Sequence, residues 1–236
     1  MADLHLSNRN PEKTMEVFGS RWTGYISRIE KNWRALVTDD DTVVIPGDIS
    51  WALTLTEALD DLKFIDRLPG RKLLGKGNHD FWWGTLGKMN AYLAENGIST
   101  ISFLYNNAFL CDGFAVAGTR GWFQDEDSPN MPDNADYEKV IRRESLRLET
   151  SLACAEELKK GSDHETAVFL HFPPVWNGEE CREITSSLKK YGVRRVWFGH
   201  IHGNYICPRS FEYDGINYSL ISADFLNFIP QIIHPE

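Results

Sequence analysis

Short apolar runs that stop at a polar, ligand-type block recur along this chain, and no other feature restricts its fold as much. Thr42-Val43-Val44-Ile45-Pro46 stops at Gly47-Asp48, and Lys72 to Leu74 runs on to Gly77-Asn78-His79-Asp80. Ala167 to Leu170 delivers His171, and Arg195 to Phe198 delivers Gly199-His200-Ile201-His202. Short apolar runs bounded by turn residues read as buried strands. Between the first two runs, Leu55, Leu59, Leu62 and Ile65 recur at helical spacing, and Pro69-Gly70 is a helix-exit signal. A strand-helix-strand unit of this kind is parallel, with a right-handed crossover. Open α/β sheets bind ligands beyond the carboxyl ends of their strands. The blocks therefore predict one site, assembled from across the chain.

The remaining text fills in the architecture. Phe109 to Cys111 and Phe114 to Ala117 flank Asp112-Gly113, a hairpin signal. Residues 121–135 form an acidic segment containing Pro and Asn, read as a loop. One long charged helix is expected from Asp136 to about Lys160, with Gly161 as its stop. The tail from about Tyr205 to Ile233 reads as antiparallel strands turning at Asp214-Gly215. No internal repeat or linker-like break interrupts the 236 residues, so a single domain is expected, with mixed sheets covered by helices.

Bulk properties exclude several classes. The net charge is −9, and no run of adjacent basic residues is longer than a pair (Arg142-Arg143, Lys159-Lys160, Lys189-Lys190 and Arg194-Arg195 among them). With no tract to follow a phosphate backbone, tight nucleic-acid binding is disfavoured. No apolar run approaches the ~18 residues that span a bilayer, so no membrane partner is expected. The start, MADLHLSNRN, lacks the basic and apolar regions of a secretory signal. Cys111, Cys154, Cys181 and Cys207 are widely spaced, as expected of reduced thiols in a cytoplasmic protein.

Five of the seven histidines lie in the blocks, counting Asp3-Leu4-His5. Imidazole, carboxylate and amide groups suit borderline divalent metals. Taken alone, His171 reads as a satisfied core histidine, Gly47-Asp48 as a turn, and even His200-x-His202 more often as no ligand pair. Only the ordered set points to a metal centre. In that order the blocks resemble the calcineurin-like metallophosphoesterase superfamily, from residue 3 to residue 203. Gly118-Thr119-Arg120-Gly121-Trp122 also resembles a group of compact bacterial phosphohydrolases within it.

The resemblance implies two β-sheets packed as a sandwich, flanked by α-helices, with two divalent ions (Mn, Fe, Zn, Co or Ni, with Mn or Fe favoured) at the sheets' carboxyl edge. Asp3, His5 and His202 would bind the first ion, and Asn78, His171 and His200 the second. Asp48 would bridge them. His79 would face the substrate, a small phosphomonoester or phosphodiester. The chemistry is consistent: two ions carry +4, and Asp3 and Asp48 remove two charges, leaving about +2 to attract phosphate. Two ions roughly 3.5–4 Å apart clamp an in-line displacement, and a bound water ionises near pH ~7. His79 suits protonation of the leaving oxygen, with Asp80 as a partner that fixes its tautomer.

Other features are weaker. Arg120 is a candidate to hold a substrate phosphate, against a structural ion pair. Trp51, Trp82 and Trp83 follow metal-binding loops and could wall a base or aryl group, against ordinary core packing. Ile49-Ser50-Trp51 replaces the Asp-Arg-Gly continuation of protein Ser/Thr phosphatases, and Trp51 replaces the ligating tyrosine of purple acid phosphatases. Only Met1 and Ala2 precede Asp3, where the family has an apolar strand. A truncated start is the expected reason, with Asp3 loosely held and the first metal weaker than the second. A non-catalytic scaffold on the same fold and a nuclease are the competing functions.

Overall fold

The computed structural model describes residues 1–122 and 134–235. Helix α1 (Tyr25–Leu36) presents Tyr25, Ile29 and Trp33 to the core at four-residue intervals, the spacing of one helix face. It leads to β1 (Thr42–Pro46), α2 (Leu59–Asp66), β2 (Arg71–Gly75), α3 (Leu86–Glu95) and β3 (Ile101–Phe103). Strands β1, β2 and β3 form one sheet, parallel throughout. Helix α2 starts later than its apolar periodicity suggested. Leu55 to Ala58 form a turn instead, in which Thr54 Oγ1 accepts Glu57 N–H at 3.3 Å. Lys72, fully buried on β2, points its ammonium at the carbonyls of Gly70 (2.8 Å), Asp66 (3.2 Å) and Leu68. It thereby satisfies acceptors left open where α2 ends.

The second sheet is mixed. It contains β4 (Ala108–Cys111), β5 (Phe114–Thr119), then after α4 (Asn134–Leu158) β6 (Glu165–Leu170). A short hairpin of β7 (Val175–Trp176) and β8 (Glu179–Glu180) and helix α5 (Arg182–Lys190) precede β9 (Arg195–Phe198), β10 (Ser210–Tyr213) and β11 (Ile216–Leu220). The order across the sheet is β10-β11-β9-β6-β5-β4. Both Asp-Gly turns are as expected. Asp112 and Gly113 have φ 41° and 86°, and Asp214 and Gly215 have φ 50° and 77°, the left-handed pair that closes a two-residue hairpin. The expected 121–135 loop falls, from 123 to 133, outside the described residues.

Alternation along the strands explains the layers. On β6, Ala167 and Phe169 face the core shared with the first sheet, while Val168 and Leu170 face α4 and α5. On β9, Trp197 faces the first side, and Val196 and Phe198 the second. Phe169 and Trp197 stack at 5.1 Å between the sheets. The α/β class with two packed sheets and outer helices is as the sequence predicts.

The opening segment departs from expectation. Residues 1–7 are all buried. Ala2 N–H donates to Ile221 O (2.7 Å) and Ala2 O accepts from Ala223 N–H (3.0 Å) on the large-sheet side. Asp3 N–H donates to Gly47 O (3.1 Å), His5 N–H to Asp48 O (2.9 Å) and Leu6 N–H to Ile49 O (2.9 Å) on the small-sheet side. Asp3 is thus tied down by its own backbone bond to Gly47 and by those of Ala2 on the opposite side, and the expectation of a loosely hung ligand is corrected.

Candidate active site

Every ligand-type block lies at a strand exit or on the opening segment between them. Gly47-Asp48 follows β1, Gly77-Asn78-His79 follows β2, His171 follows β6, and Gly199-His200 follows β9. The backbone there is strained: Asp3, His5, Asp48 and His200 have φ of 60°, 45°, 51° and 69°. Left-handed non-glycine residues gather at functional sites, where the surroundings hold them in place. The glycines of the blocks are space-limited. A Cβ on Gly77 would stand 2.0 Å from Asp48 Oδ1 and 2.3 Å from Asp48 N. One on Gly199 would stand 2.4 Å from Asp3 Oδ2. Close approach of the carboxylates, rather than the turns alone, requires glycine there.

All seven predicted ligand residues converge. Asp3, His5 and His202 offer atoms within 4.8 Å of one another, as do Asp3, Asp48 and His171. Asn78 Oδ1 joins them, 2.6 Å from His171 Nε2 and 3.1 Å from His200 Nδ1. Asp48 Oδ2 lies 3.6 Å from His5 Nε2 and 3.5 Å from His171 Nε2. The Nε2 atoms of His5 and His202 face each other at 3.1 Å. His5 Nδ1 and His171 Nδ1 are buried without a hydrogen-bond partner. Acceptor atoms of Asp48, Asn78 and the imidazoles crowd together through the Nε2 atoms of His5 and His171 at 2.6–3.6 Å, an arrangement that wants a positive partner. A cation of the borderline divalent class fits it.

Proton affinities point the same way. Burial pushes His5 and His171 well below the usual histidine range, helped by neighbouring imidazoles, so their lone pairs stay free. Burial also brings His200 down to about 4. The carboxyls respond oppositely: burial raises Asp3 to about 6 and drives Asp48 well up, with Asp80 and Asp3 adding repulsion. Neutral imidazoles beside reluctant carboxylates leave a cluster that positive charge would relax.

The other predicted residues separate. His79 donates its backbone N–H to Asp48 Oδ1 at 2.9 Å, and its half-buried ring lies 4.6 Å from Trp51 and 5.7 Å from His5. Asp80 has a different role from the one expected. Its Oδ1 accepts from Ile49 N (2.9 Å), Ser50 N (3.3 Å) and Trp82 Nε1 (3.0 Å), and its Oδ2 from Gly77 N (2.8 Å). It clamps the two loops that carry Asp48 and Asn78, and orients no imidazole. Arg120 accepts His171 N (3.1 Å) and Phe172 N (2.9 Å) at its carbonyl, while its guanidinium lies 3.6 Å from buried Glu144. Of the tryptophans, Trp51 stacks on His5 at 4.9 Å, whereas Trp82 and Trp83 are buried against Phe103.

Sequence reasoning missed Asp224. This fully buried residue accepts His202 Nδ1 at 2.9 Å, Gly203 N at 3.1 Å and Tyr205 Oη at 3.0 Å. Burial raises its affinity for a proton, but these bonds outweigh it and hold the carboxyl below its ordinary range. Trp22, 5.5 Å from His202 and 6.2 Å from His5, was also missed. Neither sits at a spacing that marks a site.

Among solved structures, TT1561 of Thermus thermophilus is similar at TM-score 0.55 and 14% identity, covering 86% of this chain and 85% of that one. The protein of unknown function AQ665 from Aquifex aeolicus matches at TM-score 0.43 and 18% identity, covering 98% and 91%. Phosphopantetheinyl hydrolase (PptH) from Mycobacterium tuberculosis matches at TM-score 0.48 and 15% identity, covering 94% and 87%. No curated protein matches. The profile of the calcineurin-like phosphoesterases matches residues 1–204. With that span holding every ligand-type block, the chain belongs to the calcineurin-like phosphoesterase family, a family of metal-dependent phosphoester hydrolases.

Proposed function

We propose that this protein is a dinuclear metal-dependent phosphohydrolase acting on a small phosphomonoester or phosphodiester. The observation that carries this reading is the position of Asp48 Oδ2 between His5 and His171, at 3.6 and 3.5 Å. One carboxylate thereby touches both donor sets. Asp3, His5 and His202 would hold one ion, and Asn78, His171 and His200 the other. Manganese or iron is favoured, with zinc, cobalt and nickel the other N/O-compatible choices. When bound, the ions supply an ionised water near neutral pH and neutralise phosphate charge.

The chain's own groups do the rest. His79 stands beside the cluster without joining it, with burial and His202 holding its proton affinity below the usual range. A neutral imidazole keeps one N–H, which can donate to the leaving oxygen. Arg120 is proposed to hold a phosphate oxygen. Its carbonyl bonds fix it next to His171, and its buried Nε has no hydrogen-bond partner. Glu144 competes for the same guanidinium. Among the described residues no helix is long and apolar enough to cross a membrane. We also propose a cytoplasmic setting, supported by the four free cysteines.

The test is hydrolysis of a panel of mono- and diesters by protein stripped of metal and reloaded with each ion in turn. Turnover should require metal, vanish with chelator and return on reloading. Fully loaded protein that cleaves no ester in the panel would overturn the reading.

A further inference from the structure

We propose that the pocket beside Trp51 receives the leaving group of the ester and selects a flat ring that carries an anionic substituent. This deepens the phosphohydrolase reading and rests on it. The pocket has a volume of about 330 Å³ and is lined by Ser7, Arg9, Lys13, Trp51, Leu53 and Glu57, among others. That is near the lower end of ligand-pocket sizes, ~300–1,000 Å³, and suits one ring system rather than a polymer.

Position comes from Trp51, which is common to the pocket and the histidine cluster. Its indole stacks on His5 at 4.9 Å and lies 4.6 Å from His79. If His79 serves the leaving oxygen, the group attached to that oxygen emerges on the Trp51 side. The main chain at Trp51 is tied to the opening segment, its backbone N–H donating to Leu6 O at 3.0 Å, and the ring itself is held by its stacking on His5. A fixed aromatic wall binds a flat ring with little loss of side-chain freedom. Leu53, 55% exposed, extends the apolar surface outward.

Charge selects the substituent. The pocket's carboxylates are already engaged. Asp61 accepts Asn8 N (2.9 Å), Asn8 Nδ2 (2.8 Å) and Ser50 Oγ (2.5 Å), and Glu57 accepts Leu53 N (2.9 Å). Arg9 makes one bond to Thr56 O at 2.9 Å, and a guanidinium has five donors. With Lys13 exposed beside it, the rim sets two cationic side chains, Arg9 with donors to spare, against the carboxylates of Glu57 and Asp61, which already accept hydrogen bonds. A carboxylate or phosphate on the ring would meet Arg9 and Lys13 while its ester oxygen lies near His79.

The experiment compares manganese-loaded wild type, Trp51→Leu and the Arg9→Ala/Lys13→Ala double variant on ethyl, naphthyl and carboxynaphthyl phosphates. For each protein, the ratio of kcat/KM between substrates is read, because metal loss lowers all rates together and leaves ratios unchanged. Trp51→Leu should cut the naphthyl-to-ethyl ratio by about tenfold, the size of one aromatic pair. The double variant should lower the carboxynaphthyl-to-naphthyl ratio by about fivefold and leave naphthyl-to-ethyl unchanged. Ratios equal in all three proteins would overturn the proposal. In parallel, binding of free carboxynaphthol to the same proteins is measured by calorimetry. If no ester is cleaved but carboxynaphthol binds wild type and is lost in both variants, the pocket stands and the hydrolase reading fails. No binding and no change in ratio sinks the pocket alone.

Discussion

His171 and His202 follow neighbouring parallel strands, yet opposite means hold them. His171 is fully buried, with Asn78 Oδ1 at 2.6 Å on one nitrogen and no hydrogen-bond partner on the other. His202 is partly exposed and fixed by Asp224, whose second oxygen is held by Gly203 N and Tyr205 Oη. Burial drives His171 well down, while for His202 the bond to Asp224 and the charge of Asp3 outweigh burial and raise it. The same side chain thus shifts in opposite directions at two places in one cluster, while His5, which shares a donor set with His202, is driven down by burial as His171 is. Packing fixes His171, and a buried carboxylate fixes His202.

The largest expected effect comes from the residue that touches both halves. Asp48→Asn should abolish the distinction between them, with both ions lost on metal analysis, because an amide cannot neutralise two cations. Retention of two ions per chain would show that Asp48 is no bridge. His79→Ala leaves both halves intact, so metal content should stay near wild type while alkyl ester turnover falls ~10²–10⁴-fold. The deficit should shrink with an aryl leaving group, which needs less protonation. Unchanged alkyl rates would remove His79 from proton delivery.

Asp224→Asn sharpens the contrast. The metal affinity of the His202 half should weaken ~10–100-fold, the usual cost of losing an outer carboxylate, while the His171 half keeps its ion. Equal weakening of both halves would mean that they are one mechanical unit.

The smallest effect is with pH. Asp3, raised by burial to about 6 from 3.8, must lose a proton to bind metal. Apparent metal affinity should therefore fall about tenfold per pH unit below about 6. In metal-free protein the sign of the stability term is the reverse of the usual carboxylate case. The contribution of Asp3 is fully present below pH 3.8 and is lost as pH rises through about 6. Chelator competition and thermal unfolding of metal-free protein, each followed against pH, check the two halves of this expectation.

How legible these features were depended on what kind of force makes them. The candidate ligand residues stood out because few side chains bind borderline metals, and the apolar runs before them marked the strand exits. The tether of residues 1–7 was illegible, since backbone bonds from Asp3 to Gly47 and from His5 to Asp48 require no particular side chains. Adjacency misled at Asp80, because the turn after Asn78 points its carboxyl inward to Gly77, Ile49 and Ser50. Asp224 sits in a tail read only for strands, where nothing in the local pattern announces a partner for His202. Helix α1 carries its apolar face at Tyr25, Ile29 and Trp33, a pattern that was present but went unread.

The central claim is that two ions share Asp48. Anomalous diffraction from crystals loaded with manganese tests it most directly. Two peaks roughly 3.5–4 Å apart, one nearest Asp3, His5 and His202, the other nearest Asn78, His171 and His200, with Asp48 Oδ2 between them, is the predicted result. A single peak, or two that leave Asp48 on one side, would contradict it.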